Sequence, residues 1–360
     1  MCSVTLVGIH LAVLLMAISS KASAAETAAT AAADATSALD QVRSLDVPAA
    51  AATINAEFEH ADFWEANGRL IREAWVELHQ QGDGQQGDGG AQHLSLSNVV
   101  DPSLFGAIET TRANPNLGKE ERVLSSFVET GPSSKGVAYK TRLLTPEGVR
   151  ALRSELGRAT SSGISLRRPN AMNRYGCIID KDVDGAVSLP SLTSFVEDLI
   201  SDIARPVGSA LFNDTVGESD VTDYFAFTIR YNAEEDMELK EHRDASVVTL
   251  NINLNLPEEH YGGSSLYLLD EDGNNGAGET RHSIEFAPGM LLIHRGSVRH
   301  AALPITSGTR HNMIIWLFGE DGHVRVAPYA EEERLTVEQR WGRHVPKNKE
   351  KKSDDWKPEL

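Results

Sequence analysis

Along Val248–Asn255 the chain alternates without interruption, with Leu250, Ile252 and Leu254 on one face and Thr249, Asn251 and Asn253 on the other. A period of two marks a strand, because successive side chains leave a pleated backbone on opposite sides. Tyr224–Tyr231, Ser265–Leu269, His282–Phe286, Met290–His294 and Asn312–Phe318 read as further short strands separated by Gly, Asn, Pro and Asp. Upstream the period lengthens. Ile54, Phe58, Leu70, Ile71, Trp75 and Leu78 recur at helical spacing between Thr53 and His79. Thr145-Pro146-Glu147 opens a second helix, with Thr as N-cap, Pro where the first turn needs no amide, and an acid against the helix dipole. A third helix is predicted over Leu192–Leu211, broken at Pro206. Helices first and strands after predict an α+β chain: a jelly roll braced by N-terminal helices.

The pattern divides the chain into segments. Residues 4–18 are apolar and are followed by Ala22-Ser23-Ala24, which reads as a secretory signal peptide over 1–24. No Lys or Arg precedes the run and His10 interrupts it, so an uncleaved signal anchor is the alternative. After cleavage no stable membrane span is expected. Residues 25–52 are Ala-rich and read as a linker or frayed helix outside the core. A helical region follows over 53–139, interrupted by a flexible Gly/Gln loop at Gln80–Gly90, then a helical support region over 140–220. The β domain occupies 221–320 and a tail 321–360. The last four residues, Lys357-Pro358-Glu359-Leu360, resemble the K-D-E-L retrieval signal, and Asn213-Asp214-Thr215 fits a glycosylation acceptor. Together these predict the lumen of the endoplasmic reticulum.

Charge and cysteine usage narrow the functions. With 34 Lys and Arg against 52 Asp and Glu, the formal charge is −18, which argues against generic binding to phosphate backbones, so no nucleic-acid partner is expected. Two cysteines, Cys2 and Cys177, exclude a disulfide scaffold and a Cys-rich zinc module.

The chemistry gathers in the β half. His242-Arg243-Asp244 lies between two predicted strands, and in extended backbone residues two apart point to the same side. His300 follows 58 residues later, at the end of the predicted Met290–His300 strand region. Two imidazoles and one carboxylate on one face leave the opposite positions of a metal open, as in non-haem Fe(II) oxygenases. Arg310, ten residues on, leads into the apolar run MIIWLF and would require an anion if buried. Each piece has a bland alternative: a loop His-x-Asp, an ordinary histidine among 12, an arginine paired with a structural Glu. A closed structural metal site would need a fourth protein ligand; His294 and His311 are the nearest spare donors, and neither is expected to have the facing partner that such a closed site needs.

The surrounding residues carry a family resemblance. RYNAEEDMELKEHRDASVVTLNINLN (230–255) and LLIHRGSVRHAALPITSGTRHNMIIWL (291–317) resemble the 2-oxoglutarate- and Fe(II)-dependent oxygenases, in the branch that contains procollagen lysyl and prolyl hydroxylases. The upstream segment RPNAMNRYG (168–176) is similar to one in the 2-oxoglutarate and iron-dependent oxygenase domain-containing family. The resemblance spans about residues 140–320. It implies a double-stranded β-helix core, with His242, Asp244 and His300 as catalytic iron ligands. It further implies that Arg310 grips the distal carboxylate of 2-oxoglutarate and that Tyr231 hydrogen-bonds the same co-substrate. The implied cofactors are Fe(II), 2-oxoglutarate and, as reductant, L-ascorbate. The implied partners are dioxygen and a protein or peptide substrate, hydroxylated on Pro or Lys with release of succinate and carbon dioxide. The alternative is a catalytically inactive jelly-roll binding module of the secretory pathway.

Overall fold

Twelve strands build the centre of the molecule: β1 (Val128–Glu129), β2 (Ala138–Arg142), β3 (Tyr224–Asn232), β4 (Leu239–His242), β5 (Val248–Asn253), β6 (Gly262–Gly263), β7 (Leu266–Leu269), β8 (Arg281–Ile284), β9 (Met290–Arg295), β10 (His300–Ala302), β11 (Ile305–Ser307) and β12 (Thr309–Leu317). In the computed structural model they form a six-stranded sheet ordered β1-β2-β9-β5-β12-β3 and a four-stranded sheet ordered β4-β10-β7-β8, while β6 and β11 make a small ribbon. All pairs are antiparallel. Between β3 and β12 the chain steps back and forth between the two large sheets, so neighbours within a sheet are remote in sequence. That is the winding of a double-stranded β-helix. The structure describes residues 37–45, 61–83, 94–113, 126–131, 136–169, 172–179, 187, 189–212, 215–216, 224–269, 280–318, 323–325 and 334–336. The expected signal peptide, the acceptor Asn213 and the KPEL end lie outside the described residues.

Seven helices are described: α1 (Ala38–Arg43), α2 (Ala61–Asp83), α3 (Leu96–Val99), α4 (Pro102–Ala113), α5 (Pro146–Ser161), α6 (Pro190–Leu199) and α7 (Arg205–Leu211). They decide which way each strand faces. Leu250, Ile252 and Leu254 of the alternating segment join Leu291, Ile293, Met313, Ile315 and Leu317 in one core with Trp75, Leu152, Phe195 and Val207 of the helices. The apolar face of the large sheet therefore points out of the β-helix, against the helices. Each such fully buried aliphatic side chain contributes on the order of 1.5–3 kcal/mol. The polar face of β5 turns inward, and all six of its residues are buried. A polar stripe with no water to meet must find partners inside, and this is where the site forms.

Several elements depart from expectation. The Ala-rich segment read as a linker contains α1, capped by Ser37, whose hydroxyl accepts from the Asp40 amide, and Leu39 and Val42 are buried. Two apolar residues three apart suffice to dock one turn, but they are too few to stand out as a period. Gln80–Asp83, assigned to the loop, continue α2, where the Gln81 amide donates to Glu77 one turn back. Within the segments expected to be helical, β1 and β2 are strands; β2 pairs with β9 along its whole length, so its conformation is dictated by a partner 150 residues away. The break in the third helix is a π-helical turn over Ile200–Ala204, with Pro206 in the first turn of α7. Thr145 caps α5 as expected, accepting from the Gly148 amide at 2.9 Å. The predicted Met290–His300 strand region is two strands in different sheets, and Arg310 lies inside β12 rather than before it.

Candidate metal centre and co-substrate pocket

The register of β4 with β10 sets His242, the last residue of one strand, directly opposite His300, the first of the other. Their rings are tilted to one another by 51° with centroids 4.3 Å apart. Asp244 follows His242 by two residues and is anchored by its amide, which donates to the Gly296 carbonyl at 3.0 Å. Gly296 is required there: a Cβ would lie 1.9 Å from the Ser246 carbonyl oxygen, inside the turn that carries Asp244. One ligand atom from each of His242, Asp244 and His300 lies within 4.8 Å of the others, and all three residues are buried.

Hydrogen bonds fix which atoms face the centre. Nδ1 of His242 is 2.8 Å from the Lys240 carbonyl, and Nδ1 of His300 is 3.0 Å from the Val298 carbonyl. A carbonyl only accepts, so each Nδ1 carries the proton and each Nε2 presents a bare lone pair. His242 Nε2 lies 3.4 Å from Asp244 Oδ1, and His300 Nε2 lies 3.7 Å from Asp244 Oδ2. Thr249 donates its hydroxyl to Asp244 Oδ2 at 2.5 Å, and Ser246 in turn donates to Thr249 at 2.7 Å. Burial pushes the His300 imidazole down to about 3 against the pull of Asp244, so it is neutral at ordinary pH. Burial alone would raise the Asp244 carboxyl, but the adjacent imidazoles, His300 foremost, outweigh it and hold the group below the usual carboxylate range. Two lone pairs and a carboxylate converging in a buried space repel one another unless a cation joins them. The donor set, two imidazoles and one carboxylate, fits a divalent transition metal with open positions.

Arg310, from β12, lines the same pocket. It is 1% exposed, and burial lowers its pKa. Its Nε donates to Asn312 Oδ1 at 2.9 Å and its Nη1 to the Ser264 carbonyl at 2.7 Å. The guanidinium lies near the Tyr231 and Phe286 rings, at 5.9 and 5.6 Å. Among the described residues no carboxylate pairs with it, so this buried cation can receive an anion from the pocket. Tyr231 is its cross-strand neighbour, and burial raises the phenol's pKa, keeping the proton on the oxygen, which donates to Asn173 Oδ1 at 3.1 Å. Phe227, Ile229, Leu239, Leu266, Ile314 and Trp316 supply apolar walls.

All five residues singled out in the sequence, His242, Asp244, His300, Arg310 and Tyr231, thus line one pocket. Sequence reasoning passed over others. Asn173, Thr249 and Asn251 also line it, and Asn312 links Arg310 to Asn251 through a 2.6 Å bond from its Nδ2. The regular placement of polar residues on a buried strand was the available signal for Thr249, Asn251 and Asn312. His294 lies beside the triad, its Nε2 3.9 Å from Asp244 Oδ2, but the cluster of mutually close ligand atoms comprises His242, Asp244 and His300 alone among the described residues. His311 lies on the other side of β12, in a cavity with Arg153 and Arg230, and takes no part in this site.

Two histidines and one aspartate on the inner face of this β-helix are the donor set that non-haem Fe(II) oxygenases use. The chain is 31% identical over 201 residues to a 2-oxoglutarate and iron-dependent oxygenase domain-containing protein 2 of Xenopus tropicalis, covering 55% of this chain and 54% of the relative. It is 27% identical over 232 residues to the Arabidopsis thaliana protein ICU11 of the same description, covering 62% and 53%, and 27% over 269 residues to the Danio rerio protein 2, covering 75% and 70%. The chain spans about half the length of the first two of these curated homologues. Among solved structures, a Pseudomonas putida prolyl-4-hydroxylase aligns with 64% of this chain and 99% of its own at 16% identity and a TM-score of 0.36. A prolyl 4-hydroxylase structure from Phytophthora capsici aligns over 64% and 68% at 13% identity and a TM-score of 0.39. No family model matches.

Proposed function

We propose that this chain is an Fe(II)- and 2-oxoglutarate-dependent dioxygenase that hydroxylates an unactivated C–H bond and releases succinate and carbon dioxide. The observation that carries the reading is the meeting, in one buried pocket, of a three-residue ligand cluster and a guanidinium without a carboxylate partner. The names of the curated homologues indicate the same oxidoreductase class. His242, Asp244 and His300 would hold the iron. When bound, the metal and its co-substrate supply the activation of dioxygen. Arg310 would fix the distal carboxylate of 2-oxoglutarate by charge-assisted hydrogen bonds, with the Tyr231 hydroxyl beside it as a further donor once it turns its single proton away from Asn173 Oδ1. The apolar walls exclude water and strengthen these contacts.

The substrate we favour is a Pro or Lys side chain of a protein or peptide, with L-ascorbate as reductant and the lumen of the endoplasmic reticulum as compartment. The resemblance at 230–255 and 291–317 and the signal-like N-terminus support this choice. The inactive binding module is disfavoured because no member of the ligand set is lost. The test is succinate formation from 2-oxoglutarate with Fe(II), with and without a panel of Pro- and Lys-containing peptides. A peptide-stimulated rate is expected; an iron-binding chain that makes no succinate with any peptide would favour the inactive module. Expressed with its own N-terminus, the chain should enter the secretory pathway and lose about 24 residues; full-length protein in the cytosol would remove the basis for a luminal substrate.

A further inference from the structure

His294 is a buried imidazole beside the triad to which the proposed reaction gives no task. It lies on β9, opposite Thr249 of β5, and is 1% exposed. Its ring meets that of His300 with centroids 4.8 Å apart. Its Nδ1 is 2.9 Å from the Arg295 carbonyl, so the proton is on Nδ1 and Nε2 is a bare acceptor. That acceptor faces Asp244 Oδ2, also an acceptor, at 3.9 Å. The separation is too long for a direct hydrogen bond, and two facing acceptors attract only through a donor shared between them. Oδ2 already receives the Thr249 hydroxyl and lies 3.7 Å from His300 Nε2, whereas Oδ1 lies 3.4 Å from His242 Nε2 and, among the described residues, accepts from no backbone amide or hydroxyl. His294 is not one of the three mutually close ligand residues, so it approaches Asp244 from outside the cluster.

We propose that His294 is a positioning residue that, together with Asp244 Oδ2, holds one water molecule, and that this bridge and Thr249 reserve Oδ2 so that Asp244 offers only Oδ1 to the metal. A one-point carboxylate keeps the remaining positions of the metal free for co-substrate and dioxygen; a two-point one would take one of them. The inference rests on the metal reading of the triad given above.

The experiment uses the full chain as wild type, His294→Leu and His294→Gln. Fe(II) and Co(II) affinities are measured by equilibrium binding, the Co(II) ligand-field spectrum is recorded, and melting of each metal-free protein is followed. Removing an outer partner of a metal ligand typically weakens binding about 10- to 100-fold, and that loss is expected for His294→Leu. Its Co(II) spectrum should move toward a higher coordination number as the carboxylate closes on the metal through both oxygens. Glutamine, which can accept a hydrogen bond from the same water, should restore affinity to within a few-fold of wild type. Should His294→Leu fail to fold, the Gln variant carries the test, since wild-type affinity and spectrum there are the supporting result. Unchanged affinity in His294→Leu, or a folded His294→Gln as weak as the Leu variant, would overturn the assignment. Loss of a nitrogen donor from the Co(II) spectrum would make His294 a direct ligand and overturn it equally. A wild-type chain that binds neither metal would overturn the triad reading itself, which separates that failure from one confined to His294.

Discussion

Arg310 spends its Nε and Nη1 on Asn312 and Ser264 and meets no carboxylate among the described residues, although it is one of the most deeply buried side chains. A buried charge without a counter-charge is costly, and the arrangement is stable when a ligand supplies the anion. Truncating one partner of such a buried contact costs about 2–5 kcal/mol, and roughly 3 kcal/mol is on the order of a hundredfold in affinity. Arg310→Ala should therefore raise the apparent KM for 2-oxoglutarate by about that factor with iron content unchanged, and Arg310→Lys should fall between, a point charge replacing a fork. Tyr231→Phe removes one neutral hydrogen bond and should act in the same direction by about 1 kcal/mol. A titration of 2-oxoglutarate with iron measured in parallel decides it: loss of iron in Arg310→Ala would make the residue structural. His242→Ala and Asp244→Ala should instead abolish iron retention and succinate production while circular dichroism stays unchanged, and full turnover in either would remove the triad.

The two histidines owe their meeting to the pairing of β4 with β10, and Asp244 owes its place to the turn packed on Gly296. An Ala at 296 must displace the Ser246 carbonyl, and overpacking of this kind costs about 1–3 kcal/mol. Gly296→Ala should lower the melting temperature and weaken metal binding together, because the strained turn is the one that aims Asp244. By contrast Thr145→Ala, which removes the cap of α5 on the far side of the sheet, should cost about 1 kcal/mol of stability and leave metal affinity as it was. A Gly296→Ala protein with wild-type metal affinity would show that the turn can yield without moving the carboxylate.

For the whole molecule, the buried imidazoles tie stability to pH. Burial pushes His300 down to about 3 and His311 to about 4, and burial lowers His294 as well. In the unfolded chain each returns to about 6.5. Between the folded and unfolded values the unfolded state binds more protons, so stability rises with pH. The metal-free protein should thus be fully stable above about pH 6.5 and lose stability as pH falls through 6 and 5 toward 3. Protonation of Asp244, which is held below the usual carboxylate range in the fold, adds to the loss at the acid end. Urea midpoints measured across this range should flatten in His300→Gln; an unchanged slope would mean that His300 is not buried neutral.

Local pattern alone determined much of this protein. The alternation over Val248–Asn255 and the cap at Thr145 were legible because strand period and capping act within a few residues. His242, Asp244, His300 and Arg310 stood out because few residue types can ligate a metal or hold a buried anion, and Tyr231 stood out only through the family resemblance; that the five share a pocket belongs to the fold. Tertiary structure decided the rest. Alternation shows that β5 has two faces but not that the apolar one turns outward to Phe195 and Leu152 and the polar one inward to the site. β2 is a strand only because β9 offers an edge, and α1 is ordered only because Leu39 and Val42 find a core beside α2. His294 shows the same limit most sharply: nothing near it in the chain names a partner, and its approach to Asp244 exists only because β9 passes beside β5. Contacts between residues remote in sequence depend on how the sheets close around one another, and that closure is a property of the whole packed molecule.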